Sequence, residues 1–331
     1  MMNLIKTIQD FHYIRASLVV WRINGPSRIK NIDADAGQKL NDLIESKKDD
    51  HLPFVIDFKG ILTQTDSSLI SLFTNIINSK KEIYFINCQS IKQPLRDLYD
   101  EFNSDGQADL SDIEDVLILH FTEKLKLKYR YNELRLKINE FLDSEISEIV
   151  KGTFIPNDEK KDVFKPLPST PILATGLFDA SIIISNPNYF TWVCIRMADM
   201  VDEIIIENTL LNAQLLSVSL RASPFANAIS LLLDIPMRTV DHLGPFQKVL
   251  DFESFNQYSI PNTNYIFIGD FIVGGTELKL AHLFARYYAS DLKYAIVLGD
   301  VFGSNRFVHF SISSITKLQG LNDRCKYALF E

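Results

Sequence analysis

One acid and a short glycine–threonine turn are the residues of this chain best suited to bind an anion. Asp270 is followed, after three apolar residues, by Gly274, Gly275 and Thr276. Adjacent glycines allow backbone N–H groups to converge on an anion without a Cβ between them. The hydroxyl of Thr276 can cap a helix or bond to a phosphate oxygen. The spacing therefore predicts an anion site.

A strand before this turn and a helix after it would hold the site in place. Residues 265–268 are all apolar, which is typical of a strand buried on both faces. From residue 277 to 290 the apolar residues recur at helical spacing: Leu278, Leu280, Ala281, Leu283, Phe284 and Tyr287. A helix N-terminus carries a partial positive charge, so this order predicts a phosphate cradle. The alternative is an ordinary strand–helix turn of an α/β domain, which needs glycine for its geometry alone.

This segment resembles the ribose-phosphate motif of type I phosphoribosyltransferases. In that family two adjacent acids hold the ribose hydroxyls, and a Thr-Gly-Gly-Thr turn cradles the 5′-phosphate. Gly269 replaces the first acid, Val273 stands where the first threonine belongs, and the loop is one residue shorter. The resemblance assigns the catalytic and ribose-phosphate-binding roles to the positions that match: Asp270, Gly274, Gly275 and Thr276.

Residues 171–179, with the helix expected from Asn186, form a second match to that family. They resemble the hood that covers the base in orotate-type enzymes, and we expect a short strand at residues 182–184 to belong to it. The order of the two segments along the chain is also that of the family.

Arg221, Ala222 and Ser223 occupy the position of the family's pyrophosphate-binding loop. The alternative is an ordinary helix start, with Ser223 as the N-cap and Pro224 at the first helical position. In the family, a mobile loop rich in lysine and arginine closes over the reaction. The corresponding residues 242–264 carry Lys248 as their only lysine or arginine.

These resemblances imply three functions. The first is a regulatory protein that binds a ribose phosphate or nucleotide, with impaired or absent transfer. The second is an active transferase that joins a nucleobase to phosphoribosyl pyrophosphate, with Mg²⁺ clamping the pyrophosphate. The missing acid at Gly269 and the scarcity of basic residues over 242–264 favour the first. The third is a protein-interaction scaffold built on the amino-terminal part.

The amino-terminal part alternates strands and helices, which predicts a small α/β domain. A strand over 53–58 ends near Asp57, and Ser67 and Ser68 precede a helical pattern. Over residues 10–103 this order resembles the STAS domains of sulfate transporters and anti-sigma factor antagonists. The resemblance makes Ser67 a phosphorylation candidate, although Leu69 replaces the usual glycine. The alternative is that these serines only cap a helix.

The predicted fold class is α/β, with a small STAS-like domain followed by a phosphoribosyltransferase-like domain whose mostly parallel sheet is flanked by helices. Further strands are expected at 17–23 and 83–86, and helices at 35–46 and 132–150. Charged residues and prolines over 152–171 indicate a linker. The predicted limits are 1–108 for the first domain, 109–170 for a connector with a helix and a Pro-rich linker, and 171–331 for the second.

Charge and cysteine content exclude several classes of function. The net charge of −8 argues against a nucleic-acid binder, whose affinity comes largely from neutralising phosphates. No apolar run is long enough to span a membrane, and the chain begins without a secretory pattern. The isolated residues Cys88, Cys194 and Cys325 suit a reduced, cytoplasmic protein. We expect a ribose phosphate or nucleotide as ligand, no resident metal, a protein partner for the first domain, and a homodimer as one form.

Overall fold

The computed structural model describes residues 4–25, 32–47, 50–61, 82–88, 119–121, 131–167, 172–240, 262–301, 309–318 and 327–329. The chain divides into two compact units, Met1–Leu142 and Asp143–Glu331. The domain limits at residues 108 and 170 stay predictions.

The amino-terminal unit contains a five-stranded sheet in the order β1–β2–β3–β4–β5. The strands are β1 (Ile5–Ile8), β2 (Phe11–Arg15), β3 (Phe54–Asp57), β4 (Ile83–Ile86) and β5 (Leu119–Phe121). The middle three are parallel, and each edge strand is antiparallel to its neighbour. All residues of β2, β3 and β4 are buried, which accounts for the apolar composition that predicted β3 and β4 from the sequence.

The strand predicted over residues 17–23 is wrong, because this segment is the helix α1 (Ala16–Asn24). Val19 and Val20 favour strands as isolated residues. The first five residues of the helix are all buried, and burial of this kind outweighs intrinsic propensity. The helix α2 (Ala34–Glu45) confirms the prediction for 35–46, and the side chain of Asp33 caps it by accepting a hydrogen bond from Ala36 N at 2.9 Å.

Asp57, the acid at the end of β3, is buried and serves the fold of this unit. Its carboxylate accepts hydrogen bonds from Tyr13 Oη at 2.9 Å, from Asn87 Nδ2 at 2.7 Å and from Lys59 N at 2.8 Å. A buried carboxylate with three donors is stabilised in the folded state. Ser67, the phosphorylation candidate that follows Asp57 in the sequence, lies outside the described residues.

The carboxy-terminal unit is built on a parallel five-stranded sheet in the order β11–β10–β12–β13–β14. The strands are β10 (Ala213–Ser217), β11 (Met237–Thr239), β12 (Asn264–Ile272), β13 (Asp291–Asp300) and β14 (Ser311–Lys317). The chain adds β11 on one side of β10 and then returns to the other side with β12. A reversal of this kind leaves a crevice between β10 and β12 at their carboxyl ends, where open α/β sheets bind ligands.

Helices pack against this sheet, so the predicted α/β class with a mostly parallel sheet is confirmed. The helices of this part of the chain are α3 (Tyr131–Lys151), which crosses the division of the chain, α4 (Ser181–Ser185), α5 (Pro187–Glu207), α6 (Ser223–Leu233) and α7 (Thr276–Tyr287). The last three of these helices contact strands of the sheet. The first confirms the helix predicted over 132–150, whereas α4 replaces the strand predicted at 182–184. Leu278, Ala281 and Phe284 of α7 pack on Tyr265 and Phe267 of β12 in one buried cluster. No helix among the described residues is long and apolar enough to cross a membrane.

Short antiparallel strands form two small sheets that include residues 172–178, the segment that the resemblance assigned to the hood. They are β6 (Phe154–Pro156), β7 (Lys165–Pro166), β8 (Ile172–Ala174), β9 (Gly176–Phe178) and β15 (Tyr327–Leu329). β6 pairs with β9, and β8 lies between β15 and β7. β6 and β7 lie within residues 152–171, so part of the segment that was interpreted as a linker forms strands that pair with β9 and β8.

Candidate functional site

Asp270 lies near the carboxyl end of β12, beside the point where the strand order reverses. The last residue pair between β10 and β12 joins Leu216 to Phe267, so β12 continues beyond its neighbour before it reaches Asp270. The Asp270 carboxylate accepts a hydrogen bond from Phe271 N at 2.7 Å. The structure therefore places this acid near the carboxyl end of a central strand, next to the reversal of strand order.

The glycine turn after β12 opens directly into α7. Gly275 is the N-cap of the helix, with φ 69° and ψ 18°, a left-handed conformation that favours glycine. Thr276 is the first residue of the helix, so the expectation that its side chain caps the helix is wrong. At Gly274 an added Cβ would meet Ile172 and Thr276 only at ordinary contact distances of 3.7 and 3.8 Å. The steric need for glycine is therefore at Gly275.

The position of the missing first acid is filled by a neighbouring ring. A Cβ added to Gly269 would lie 2.6 Å from Cε1 of Phe267 and 3.1 Å from Cγ1 of Val297. Real Cβ atoms essentially never come as close to another atom as 2.6 Å, the contact with Val297 is also tight, and both neighbours belong to the buried cluster under α7. Gly269 is consequently required for packing, and an acid cannot be placed there without moving Phe267.

The candidate pyrophosphate loop follows β10 and leads into α6. Ser219 Oγ accepts a hydrogen bond from Ala222 N at 3.1 Å, and Ser223 Oγ lies 3.3 Å from Thr239 Oγ1. Ala222 is the buried N-cap position and Ser223 is the first helical residue, so the alternative that made Ser223 the N-cap is wrong. Arg221 is exposed. The loop therefore ends in a guanidinium group at the carboxyl end of the sheet.

Arg221 interacts electrostatically with three carboxyl groups that come from three different elements: Asp179, Asp270 and Glu277. Asp179 follows β9, and its Oδ1 accepts a hydrogen bond from Ser181 N at 3.0 Å, which lowers its pKa, with the Arg221 charge acting in the same direction. Burial raises the pKa of Asp270, against the hydrogen bond from Phe271 N and the Arg221 charge. The hood strand, the β10–α6 loop and β12 therefore share one charged cluster.

Glu277 is a further acid of this cluster with a raised pKa. Partial burial of its carboxyl group and, second, repulsion from Asp270 raise this pKa to about 7, although Arg221 opposes the shift and the residue as a whole is exposed. Its side chain lies in the first turn of α7, where the helix dipole favours negative charge. A proton on Glu277 is thus in exchange near neutral pH, directly beside the glycine turn.

Asp179 and Glu277 were not identified as site residues from the sequence. The position of Glu277 directly after Thr276 could have identified it as a site residue from the sequence, because the second residue of a helix lies at the same terminus as the N-cap. Asp179 gave no comparable signal, since it approaches Asp270 only through the fold of the hood. The predicted residues Asp270, Gly274, Gly275 and Thr276 do lie together on consecutive elements.

Comparison with solved structures returns phosphoribosyltransferases over about half of the chain. An adenine phosphoribosyltransferase from Thermoanaerobacter pseudethanolicus is 12% identical, with a TM-score of 0.38, over 51% of this chain and 98% of that one. An orotate phosphoribosyltransferase from Aeropyrum pernix is 15% identical, with a TM-score of 0.40, over 52% and 93%. The Trypanosoma brucei adenine enzyme, solved with AMP, pyrophosphate and ribose 5-phosphate, is 12% identical, with a TM-score of 0.38, over 55% and 82%.

No protein-family model matches this chain, and no curated protein matches it. TM-scores below 0.5 at such identities carry no argument about the chemistry of the site.

Proposed function

We propose that the carboxy-terminal unit binds a ribose phosphate, as the free sugar phosphate or as a nucleotide, in the crevice beside Asp270. The observation that carries the proposal is the succession of β12, the left-handed Gly275 and the N-terminus of α7 at the strand-order reversal. Backbone N–H groups at a helix N-terminus bind phosphate without any basic side chain. The Asp270 carboxylate is then in position to accept hydrogen bonds from sugar hydroxyls.

Arg221 adds a positive charge to this site. It is exposed at the end of the β10–α6 loop and interacts with Asp270 and Glu277. A phosphate that enters the cradle meets this guanidinium group, which suits bidentate binding of phosphate oxygens. The carboxyl groups repel the same phosphate, so the protonation of Glu277 controls how well it binds.

Transfer is impaired in this proposal, because the first ribose-binding acid of the resembled motif is absent and its place is filled. Gly269 has no room for a side chain beside Phe267, so a single carboxylate on β12 faces the sugar. Lys248, the one basic residue predicted for the mobile loop, lies outside the described residues. A site of this kind fits a sensor of ribose phosphates better than an efficient transferase.

Mg²⁺ is required only if the protein is an active transferase, the alternative function. Magnesium is commonly held by one or two carboxylates together with substrate phosphates, so Asp270 and Glu277 would be the ligands that this chain supplies. Within the described ranges, no group of three or more His, Cys, Asp or Glu side chains is arranged to hold a metal ion. The ion would therefore arrive bound to the pyrophosphate.

A regulatory role also requires a part of the protein that another protein binds, and we propose that the amino-terminal unit is this part. The alternation of strands and helices over residues 10–103, with Asp57 at a strand end and Ser67 and Ser68 before a helical pattern, is what led to the STAS resemblance. In this proposal Ser67 is the residue that a protein partner reads, and the active form is a monomer or a homodimer.

Two assays on the full-length chain test the proposal. Calorimetry with ribose 5-phosphate, phosphoribosyl pyrophosphate and AMP should give saturable binding to at least one of them. Release of pyrophosphate from phosphoribosyl pyrophosphate, with Mg²⁺ and a panel of nucleobases, should be slow or absent. Rapid release would establish the active transferase instead. The absence of binding to all three ligands at millimolar concentration would leave only the interaction scaffold.

A further inference from the structure

The strand β14 (Ser311–Lys317) lies at one edge of the parallel sheet and is the longest edge strand that the structure describes. It has seven residues, and among the described strands it pairs with β13. The other edge strands of the described sheets have two to four residues each: β1, β5, β6, β7, β9, β11 and β15. A long edge presents a row of backbone N–H and C=O groups with which another strand can pair.

The composition and register of β14 give it little protection against such pairing. Proteins usually protect an edge strand by short length, charged side chains, proline or a β-bulge. The sequence Ser-Ile-Ser-Ser-Ile-Thr-Lys carries one charge, Lys317, at its end. The strand stays in one register with β13, from Ser311 opposite Tyr294 to Lys317 opposite Asp300. At the other edge of the same sheet, β11 has only three residues and includes Arg238.

Every second residue of β14 turns its backbone groups away from β13. Leu318 N, directly after the strand, donates a hydrogen bond to Asp300 O of β13 at 2.8 Å. Because successive residues of a strand point their N–H and C=O groups to opposite sides, the even-numbered residues of β14 also face β13. The odd-numbered residues, from Ser311 to Lys317, therefore point their N–H and C=O groups outward from the sheet.

We propose that β14 pairs with β14 of a second copy of this chain, antiparallel and across a two-fold axis, so that the two parallel sheets join into one. The register that pairs all seven residues is centred on Ser314, and it brings Ser313 opposite Ile315 of the second copy. Lys317 then lies opposite Ser311, so no like charges of the two strands face each other. A second copy is favoured as the partner because its strand matches this edge in length and charge, and a two-fold dimer needs such a self-complementary surface.

The dimer should dissociate on dilution, because the strand is a small interface. A standard interface has about 20–30 residues on each side, whereas β14 supplies seven. Sedimentation velocity of the full-length chain, from low to high micromolar concentration, measures the dissociation constant of the dimer. A wild-type protein that remains monomeric at high micromolar concentration would overturn the proposal and leave this edge to an extended segment of another protein.

Ser313→Pro tests whether the edge of β14 is the interface. Proline is tolerated at an edge strand where its missing N–H group would have pointed outward. Because the two-fold axis doubles each change, the variant loses two backbone hydrogen bonds between the copies and should weaken the dimer by about tenfold or more. The matched control is Ser313→Ala, which keeps the N–H group and should dimerise like the wild-type protein. A dimer of unchanged strength in Ser313→Pro would place the interface elsewhere and overturn the proposal.

A pair of charged variants at Ser314 tests the register and also covers the case in which Ser313→Pro does not fold. In the proposed register Ser314 faces its own counterpart across the axis. Ser314→Lys and Ser314→Glu should therefore each weaken the dimer, since like charges meet. An equimolar mixture of the two variants should restore a dimer at least as strong as that of the wild-type protein. A mixture that stays as weak as the separate variants would contradict the two-fold pairing and overturn the proposal.

Discussion

The ring of Phe267 lies where a side chain on Gly269 would have to be, with only 2.6 Å between its Cε1 and an added Cβ. Both residues belong to β12, two positions apart, and therefore face the same side of the sheet. The loss of the first acid from the resembled motif is thus coupled to the packing of α7 on the sheet. A single substitution cannot restore that acid without disturbing the packing.

Gly269→Asp should destabilise the carboxy-terminal unit, because overpacking of a dense core costs about 1–3 kcal/mol and burial of a charge adds to it. Urea unfolding followed by tryptophan fluorescence measures the loss. The control is Gly274→Ala, whose added methyl group has ordinary contacts and should change stability by less than about 0.5 kcal/mol. Equal stability of Gly269→Asp and the wild-type protein would show that Phe267 moves freely.

Gly275→Val should abolish ribose-phosphate binding, since a β-branched residue in the left-handed region is strained by about 1–2 kcal/mol and its side chain shields the N–H groups of the turn. Calorimetry with ribose 5-phosphate measures the effect. Gly60→Val places the same kind of strain at φ 85° in the amino-terminal unit and should leave binding unchanged. Unchanged binding of ribose 5-phosphate by Gly275→Val would show that this turn does not hold the phosphate.

Asp270→Ala should weaken binding of ribose 5-phosphate by roughly tenfold to a hundredfold, because a lost charge-assisted hydrogen bond is worth about 1.5–3 kcal/mol. Affinity for inorganic phosphate should rise slightly, since a repelling carboxylate is removed. Asp291→Ala, at the amino end of the neighbouring strand β13, is the control on the opposite edge of the sheet. A larger effect on phosphate than on the sugar phosphate would contradict the assignment of Asp270 to the sugar.

Glu277→Gln should remove a pH dependence of stability. The pKa of Glu277 rises from 4.5 to about 7 on folding, so the folded state holds this proton more tightly than the unfolded chain does. Stability from this group is present below pH 4.5 and is lost as pH rises through 7. The variant should therefore melt at a higher temperature than the wild-type protein at about pH 8 and at the same temperature at about pH 4.

The same substitution should tighten phosphate binding at about pH 8, where the wild-type carboxylate is ionised, and should leave it unchanged below the pKa of Glu277. Glu207→Gln, an exposed acid at the end of α5, serves as the control for both measurements. Identical melting curves for Glu277→Gln and the wild-type protein across this pH range would contradict the raised pKa.

The parts of the site that follow one another in the chain were predictable, and the parts that meet through the fold were not. The strand, turn and helix around Gly275 have a local pattern of apolar residues and glycine that specifies them. The approach of Asp179 to Arg221 depends on the pairing of the hood strands, which no local pattern encodes. The apolar run with Val19 and Val20 fits a strand or a buried helix equally well. The segment forms the helix α1 because its first five residues are buried in the fold of the unit.

Backbone amide shifts during a titration with ribose 5-phosphate test the central claim most directly, because the claim concerns the N–H groups of one turn. The account predicts saturable shifts at Gly275, Thr276 and Glu277, with smaller ones at Asp270 and Arg221, and none of them in Gly275→Val. Shifts confined to other parts of the chain, or no shifts at millimolar ligand, would contradict the claim that this crevice binds a ribose phosphate.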